Sequence, residues 1–120
     1  EILTGMKIKN LVDMKIAGEK IIDLGANFVV LKGGHMNTSV MSDLLIGEEL
    51  IDQIETKRLE TKNTHGTGCT MASALAAGLA KSLDIKEAFQ KAHFYVNQAI
   101  LTAPKFGKGH GPINHSFNIN

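Results

Sequence analysis

The chain has a single cysteine, no tryptophan, one tyrosine and no charge excess to speak of: 13 basic against 12 acidic side chains, a formal net charge of +1. One cysteine excludes an intrachain disulfide and suits a reducing compartment. The balanced charge, with no Lys/Arg cluster, offers no basic field for nucleic acid. No apolar run is long enough to cross a bilayer, and the first residues lack a signal-peptide pattern. A cytoplasmic protein with no membrane or nucleic-acid partner is therefore expected. The histidines at 35, 65, 93, 110 and 115 have no metal-ligand spacing and no cysteine pair to join, so no zinc or other protein-bound metal is expected. Internal repeats and low-complexity linkers are also missing.

What is present reads as an α/β domain. With 43% apolar and 21% charged residues over 120 positions, the composition is that of one domain or part of one. Asn10 to Leu24 has Leu11, Met14, Ala17 and Ile21 at helical spacing, with Asn10 to cap it and Gly25 to end it. Phe28-Val29-Val30-Leu31, within 27–32, predicts a short strand buried on both faces, as in a parallel sheet. Ser39–Ile46 and Leu50–Leu59 bracket Gly47-Glu48-Glu49 as a hairpin. A second helix is expected from about Cys69 to Lys81, with Ala72, Leu75, Ala76 and Leu79 on one face. A third begins at Asp84 with Glu87 in capping-box position. It buries Ile85, Ala88, Phe89, Ala92, Val96, Ala99 and Ile100 and ends near Pro104. These strands are too few to close a sheet, so a preceding segment is expected.

The densest chemistry lies in Asn63-Thr64-His65-Gly66-Thr67-Gly68-Cys69-Thr70. Two glycines let the backbone approach a ligand, and the exposed amides of a helix start form a cradle for phosphate. The lone thiol sits at the same helix start, where positive potential favours a thiolate. An anion cradle beside a proton acceptor points to phosphoryl transfer, with the amides from Gly66 to Cys69 holding the negative charge. The segment is not a Walker A loop, because no Gly-Lys-Ser/Thr follows a four-residue spacer. A plain strand-to-helix turn capped by Thr64 or Thr67 is the structural alternative.

Cys69 has three readings: an inert buried thiol, a nucleophile paired with His65, or a general base for a substrate hydroxyl. The third is preferred, since Gly66 and Gly68 argue against the helix that would align His65 with Cys69. Lys32 ends the predicted strand, where ligands of open α/β sheets gather, and is either a phosphate contact or a solvated strand end. The tail Phe106-Gly107-Lys108-Gly109-His110-Gly111-Pro112 is either a flexible loop or a cover for a nucleotide.

Three segments together resemble a known family. Lys32-Gly33-Gly34-His35, then Thr61 through Thr70, then Gly107-Lys108-Gly109-His110-Gly111-Pro112 occur in the order found in the carboxyl-terminal half of hydroxymethylpyrimidine/phosphomethylpyrimidine kinases of thiamine biosynthesis. Glu1-Ile2-Leu3-Thr4-Gly5 is similar to the segment after that family's Thr-Pro-Asn motif. The resemblance implies a partial ribokinase-like three-layer αβα domain, the C-terminal half, with a mainly parallel sheet and a β-hairpin. Residues 1–120 would be the nucleotide-binding half of a single kinase domain.

It also implies ATP and Mg2+ as cofactors and a pyrimidine alcohol or phosphate as substrate; a homo-oligomer is expected separately, because an exposed sheet edge favours self-association. Gly66, Thr67 and Gly68 would form the anion hole and Cys69 the base. Lys32, Thr64, Gly66, Gly68, Lys108 and Gly109 would contact or border ATP. The family's magnesium-linked acid would fall before Glu1, and a complete member would be about twice as long. The chain is thus expected to be a fragment of low activity alone. Competing readings are a pyridoxal kinase of the same fold, a thiol hydrolase using His65 and Cys69, and a non-catalytic fragment that self-associates.

Overall fold

Asn10 starts the first helix, as its position predicts. In the computed structural model, which describes residues 1–34 and 39–119, its side chain accepts the Asp13 amide at 2.9 Å. Asp13 Oδ2 accepts the Lys9 amide at 2.9 Å in return, so the two side chains satisfy donors on either side of the helix start. Helix α1 spans Leu11–Asp23 and ends at Leu24. Beyond it Gly25, at φ +107°, donates its amide to the Ile22 carbonyl at 2.8 Å.

The chain divides into two units, Glu1–Arg58 and Leu59–Asn120. In the first, α1 is followed by strands β1 (Val29–Leu31), β2 (Val40–Ile46) and β3 (Leu50–Lys57). They form a three-stranded sheet in the order β1-β2-β3. The β2–β3 hairpin forms where the sequence places it, with Val40 opposite Lys57 and an irregularity between Leu45 and Ile46. Met14 of α1 is buried with Leu44 and Ile46 of β2, and Ile8, Leu11, Ile22 and Leu31 pack around them. This cluster is the core of the first unit.

The α/β expectation holds, but two details of the sheet do not. Both pairings among the described strands are antiparallel, not mainly parallel. Eight residues separate Leu31 from Val40, and a parallel crossover needs a dozen or more, so β2 has to return antiparallel to β1. Val29, Val30 and Leu31 are half-buried rather than buried on both faces, and Phe28 beside them is exposed.

In the second unit, helix α2 (Thr67–Ala80) packs on helix α3 (Ile85–Leu101). Asp84 caps α3, its Oδ1 accepting the Glu87 amide at 2.9 Å. The Glu87 carboxylate instead pairs with Lys91 at 2.7 Å, an exposed contact of little energetic weight. The predicted stripe of α3 is buried at Ala88, Phe89, Ala92, Val96 and Ala99 and half-buried at Ile85 and Ile100.

The face expected for α2 is corrected: Ala72, Ala76 and Leu79 are exposed and Leu75 is half-buried, whereas Thr70 and Met71 are buried. The close approach to α3 runs through Gly78, where a Cβ would stand 3.0 Å from that of Ala88. Small residues all around α2 left its contact face unmarked in the sequence. The tail returns along α3. Asn114 donates its amide to the Ala99 carbonyl at 2.9 Å, Ile113 is buried, and the Tyr95 hydroxyl donates to the His115 carbonyl at 2.7 Å.

Candidate functional site

The glycine-rich turn enters α2 without a side-chain cap. Gly66 is the N-cap residue at φ +87°, a left-handed backbone that L side chains rarely adopt. The helix therefore starts at Thr67, two residues before the expected Cys69, with Gly68 inside its first turn. The Gly66 carbonyl takes two donors, the Thr70 amide at 2.9 Å and the Thr70 hydroxyl at 2.8 Å, which pins the far side of the turn. The Thr67 amide donates to the Thr64 carbonyl over a long 3.4 Å.

Among the described residues, no protein group accepts from the amides of Gly68 and Cys69. Helix starts leave such donors open, and here neither Thr64 nor Thr67 closes them. The first turn of α2 also carries no acidic side chain. Two free amides on the positive end of a 14-residue helix make a place for an anion. Cys69 is exposed, so its sulfur is accessible at that same turn. A Cβ built on Gly68 meets nothing within 4 Å, so the space in front of the turn is open.

The tail closes one side of the turn. The His65 amide donates to the Gly111 carbonyl at 3.2 Å, and His65 bridges Pro112 in parallel fashion. A side chain on Gly111 would strike the Asn63 side-chain oxygen and the Phe106 carbonyl, so a glycine is required there. Asn63 is buried and fixed locally: its amide and its Nδ2 both donate to the Thr61 hydroxyl, at 3.1 and 3.3 Å. Sequence reading gave Asn63 no role of its own. The signal was its place, a polar residue three positions before the Gly66 turn, which the fold buries against the tail.

From the turn, a groove of about 1010 Å3 runs between α2 and α3. Cys69, Thr70 and Ser73 lie on its α2 wall, with Ala92 and Tyr95 on its α3 wall and His115 from the tail. Tyr95 and His115 were not singled out by sequence reading, because neither belongs to a motif and both reach the groove through the packing of the tail on α3.

The structure thus gathers Thr64, Gly66, Thr67, Gly68 and Cys69 in one turn and brings the end of the glycine-rich tail against it. Lys108 and Gly109 are exposed in the loop before Gly111. His65 precedes the helix cap, so it does not share a helical face with Cys69. Lys32 belongs to the first unit, exposed at the end of β1. His35, the last residue of its motif, lies outside the described residues. Among the described residues no group of three His, Cys, Asp or Glu gathers as a metal site, and no helix is long and apolar enough to cross a membrane.

The family model described as phosphomethylpyrimidine kinase matches residues 1–114. A Bacillus subtilis protein named hydroxymethylpyrimidine/phosphomethylpyrimidine kinase is 44% identical over 116 residues, which are 96% of this chain and 43% of that protein. Among solved structures, a Staphylococcus aureus pyridoxal kinase in complex with AMP-PCP and pyridoxal is 35% identical with a TM-score of 0.89. The match covers 94% of this chain and 43% of that one. A Clostridium difficile phosphomethylpyrimidine kinase is 37% identical with a TM-score of 0.65, covering 83% of this chain and 38% of that one. The chain therefore spans less than half the length of each of these relatives, and its α/β fold is a partial one of the ribokinase-like class.

Proposed function

The chain belongs to the phosphomethylpyrimidine kinase family, and on that premise we propose that it carries the phosphate-accepting turn of an ATP-dependent kinase. The substrates of that kinase would be hydroxymethylpyrimidine and its monophosphate, in thiamine biosynthesis. The observation that carries the reading is the open first turn of α2, where two unpartnered amides and an exposed thiol face the same solvent.

The chemistry follows from that turn. The acceptor hydroxyl loses its proton to Cys69 Sγ as its oxygen attacks the γ-phosphorus of ATP. The bond from the γ-phosphorus to the bridging oxygen breaks and ADP leaves. The Gly68 and Cys69 amides donate to the oxygens of the group in flight, where charge is spread in the transition state. Thr64, Gly66 and Thr67 shape the turn, and Lys32 contacts the nucleotide phosphates. Lys108 and Gly109 border the nucleotide on the tail side. Mg2+ would supply charge neutralisation on the phosphates of such kinases, but among the described residues no group of three His, Cys, Asp or Glu builds a site for it.

A chimaera tests the reading: this chain replaces the matched 116 residues of the Bacillus subtilis relative, and transfer from γ-labelled ATP to hydroxymethylpyrimidine is followed. Cys69→Ala is expected to lower turnover by about 100-fold or more, the low end of general-base contributions, with ATP affinity nearly unchanged. Unchanged turnover removes Cys69 from the chemistry. Pyridoxal phosphorylation is the second reading, favoured by the higher TM-score of the pyridoxal kinase structure than of the phosphomethylpyrimidine kinase one. Competition between the two alcohols in the chimaera and in the unaltered Bacillus subtilis relative tests it: a shift toward pyridoxal on exchanging this half favours the second reading.

A further inference from the structure

The turn that leaves β1 is gripped from two sides, both within the first unit. The Gly33 amide donates to Asp43 Oδ1 at 3.0 Å. One residue on, the Gly34 carbonyl accepts from Arg58 Nη1 at 3.0 Å. Gly33 is itself buried: a Cβ there would collide with the Ser42 carbonyl oxygen and stand 3.1 Å from the Ser42 amide nitrogen. The backbone at Gly33 is thus pressed against β2.

Asp43 is an unusual residue for its place. It sits inside β2, opposite Ile54 and between buried Ser42 and Leu44, where aspartate is disfavoured. A half-buried carboxylate needs donors to offset its desolvation, and the Gly33 amide is one. Arg58 follows β3 directly, and its own amide is tied to the Ser39 carbonyl at 2.9 Å, so its guanidinium reaches Gly34 from a fixed base.

Lys32, exposed, immediately precedes these two clamped peptide groups. A lysine stem is flexible, so what the backbone can fix is the direction in which it leaves the strand. We infer that Asp43 and Arg58 are positioning residues that set the Lys32-Gly33-Gly34 turn so that Lys32 meets a polyphosphate in one geometry. The inference rests on the proposed phosphate contact of Lys32. Neither Asp43 nor Arg58 needs to touch the ligand.

The 120-residue chain, labelled with nitrogen-15 and titrated with metal-free inorganic tripolyphosphate, tests this through the amide shifts of Lys32 and Gly34. Removing a carboxylate near an anion would tighten binding on charge alone. Asp43→Ala is nevertheless expected to weaken it by about tenfold, as the loss of one charge-assisted hydrogen bond would, and to speed exchange of the Gly33 amide. Asp43→Asn also removes the charge but keeps an oxygen acceptor, and it should bind at least as well as the native chain with Gly33 still protected.

A lower melting temperature with unchanged affinity in Asp43→Ala would make the contact merely structural and overturn the inference. If Asp43→Ala does not fold, Asp43→Glu decides, since it keeps the charge but moves the acceptor. Binding weaker than that of the native chain, which carries the same charge, supports the inference, and binding equal to the native chain's overturns it. Tripolyphosphate that binds the native chain and Lys32→Ala equally well defeats the Lys32 reading. If Lys32→Ala weakens binding but Asp43→Ala does not, the positioning role alone falls. No binding to the native chain overturns both.

Discussion

Gly66 and Gly68 stand two positions apart, and an alanine at each meets a different obstacle. At Gly66 the obstacle is the backbone, since φ +87° forces a Cβ against its own carbonyl neighbours. Gly66→Ala should cost about 1–2 kcal/mol of stability, read as a lower denaturation midpoint. At Gly68 the obstacle is not conformational: the residue lies in the first turn of a helix and its Cβ would meet nothing. Gly68→Ala should leave stability unchanged or raise it by up to about 1 kcal/mol, because alanine is the better helix former. The new methyl would crowd the free amides, so affinity for a polyphosphate should fall while the melt does not. Equal affinity in native and Gly68→Ala chains would argue that the anion does not lie over that turn. The sequence disclosed the glycines, the thiol and their order. It did not disclose that Gly68 is helical, since glycine is a poor helix former, or that Asn63 is walled in by Gly111, which depends on where the tail returns.

At the scale of elements, legibility followed amphipathicity and caps. The first and third helices each combine a polar N-cap with a periodic apolar stripe, and both start where expected, the third ending at Leu101, three residues before Pro104. Phe89, fully buried, is the largest side chain of the α3 stripe. Phe89→Ala should cost about 3–5 kcal/mol through lost transfer energy and the cavity left behind. Asp84→Ala should cost about 1 kcal/mol, whereas Asp84→Asn, which still offers an oxygen to the Glu87 amide, should cost much less. Chemical denaturation of the three variants orders them, and an Asp84→Ala midpoint equal to that of the native chain would deny the cap. The strand before Lys32 was legible as a strand but not in its pairing. A run such as Phe28-Val29-Val30-Leu31 fits either sheet type, and the short link to β2 decided the direction. The second helix was legible only in its existence, since an uncharged run of mostly small residues does not say which side will be covered.

That surface bears on the molecule as a whole. Over its 14 residues, α2 carries no charged side chain, yet only Thr70 and Met71 are buried. Leu79 is 44% exposed, and Phe94 and Leu101 of α3 are 63% and 56% exposed. An uncharged, mostly apolar helix favours burial, and exposed large apolar residues mark surfaces that can bind other protein. We propose that the isolated chain meets this demand by self-association. Sedimentation equilibrium at micromolar concentration should give an average mass above that of one chain. Leu79→Glu places a charge on a side chain already in solvent, so it should leave the helix formed and move the average mass toward a monomer. The uncovered part of the Bacillus subtilis relative, supplied as a separate polypeptide, should compete with self-association if the same face is what that part covers in the longer protein. A monomer at every concentration, or a dimer indifferent to Leu79→Glu, would show that this face is not the one that associates.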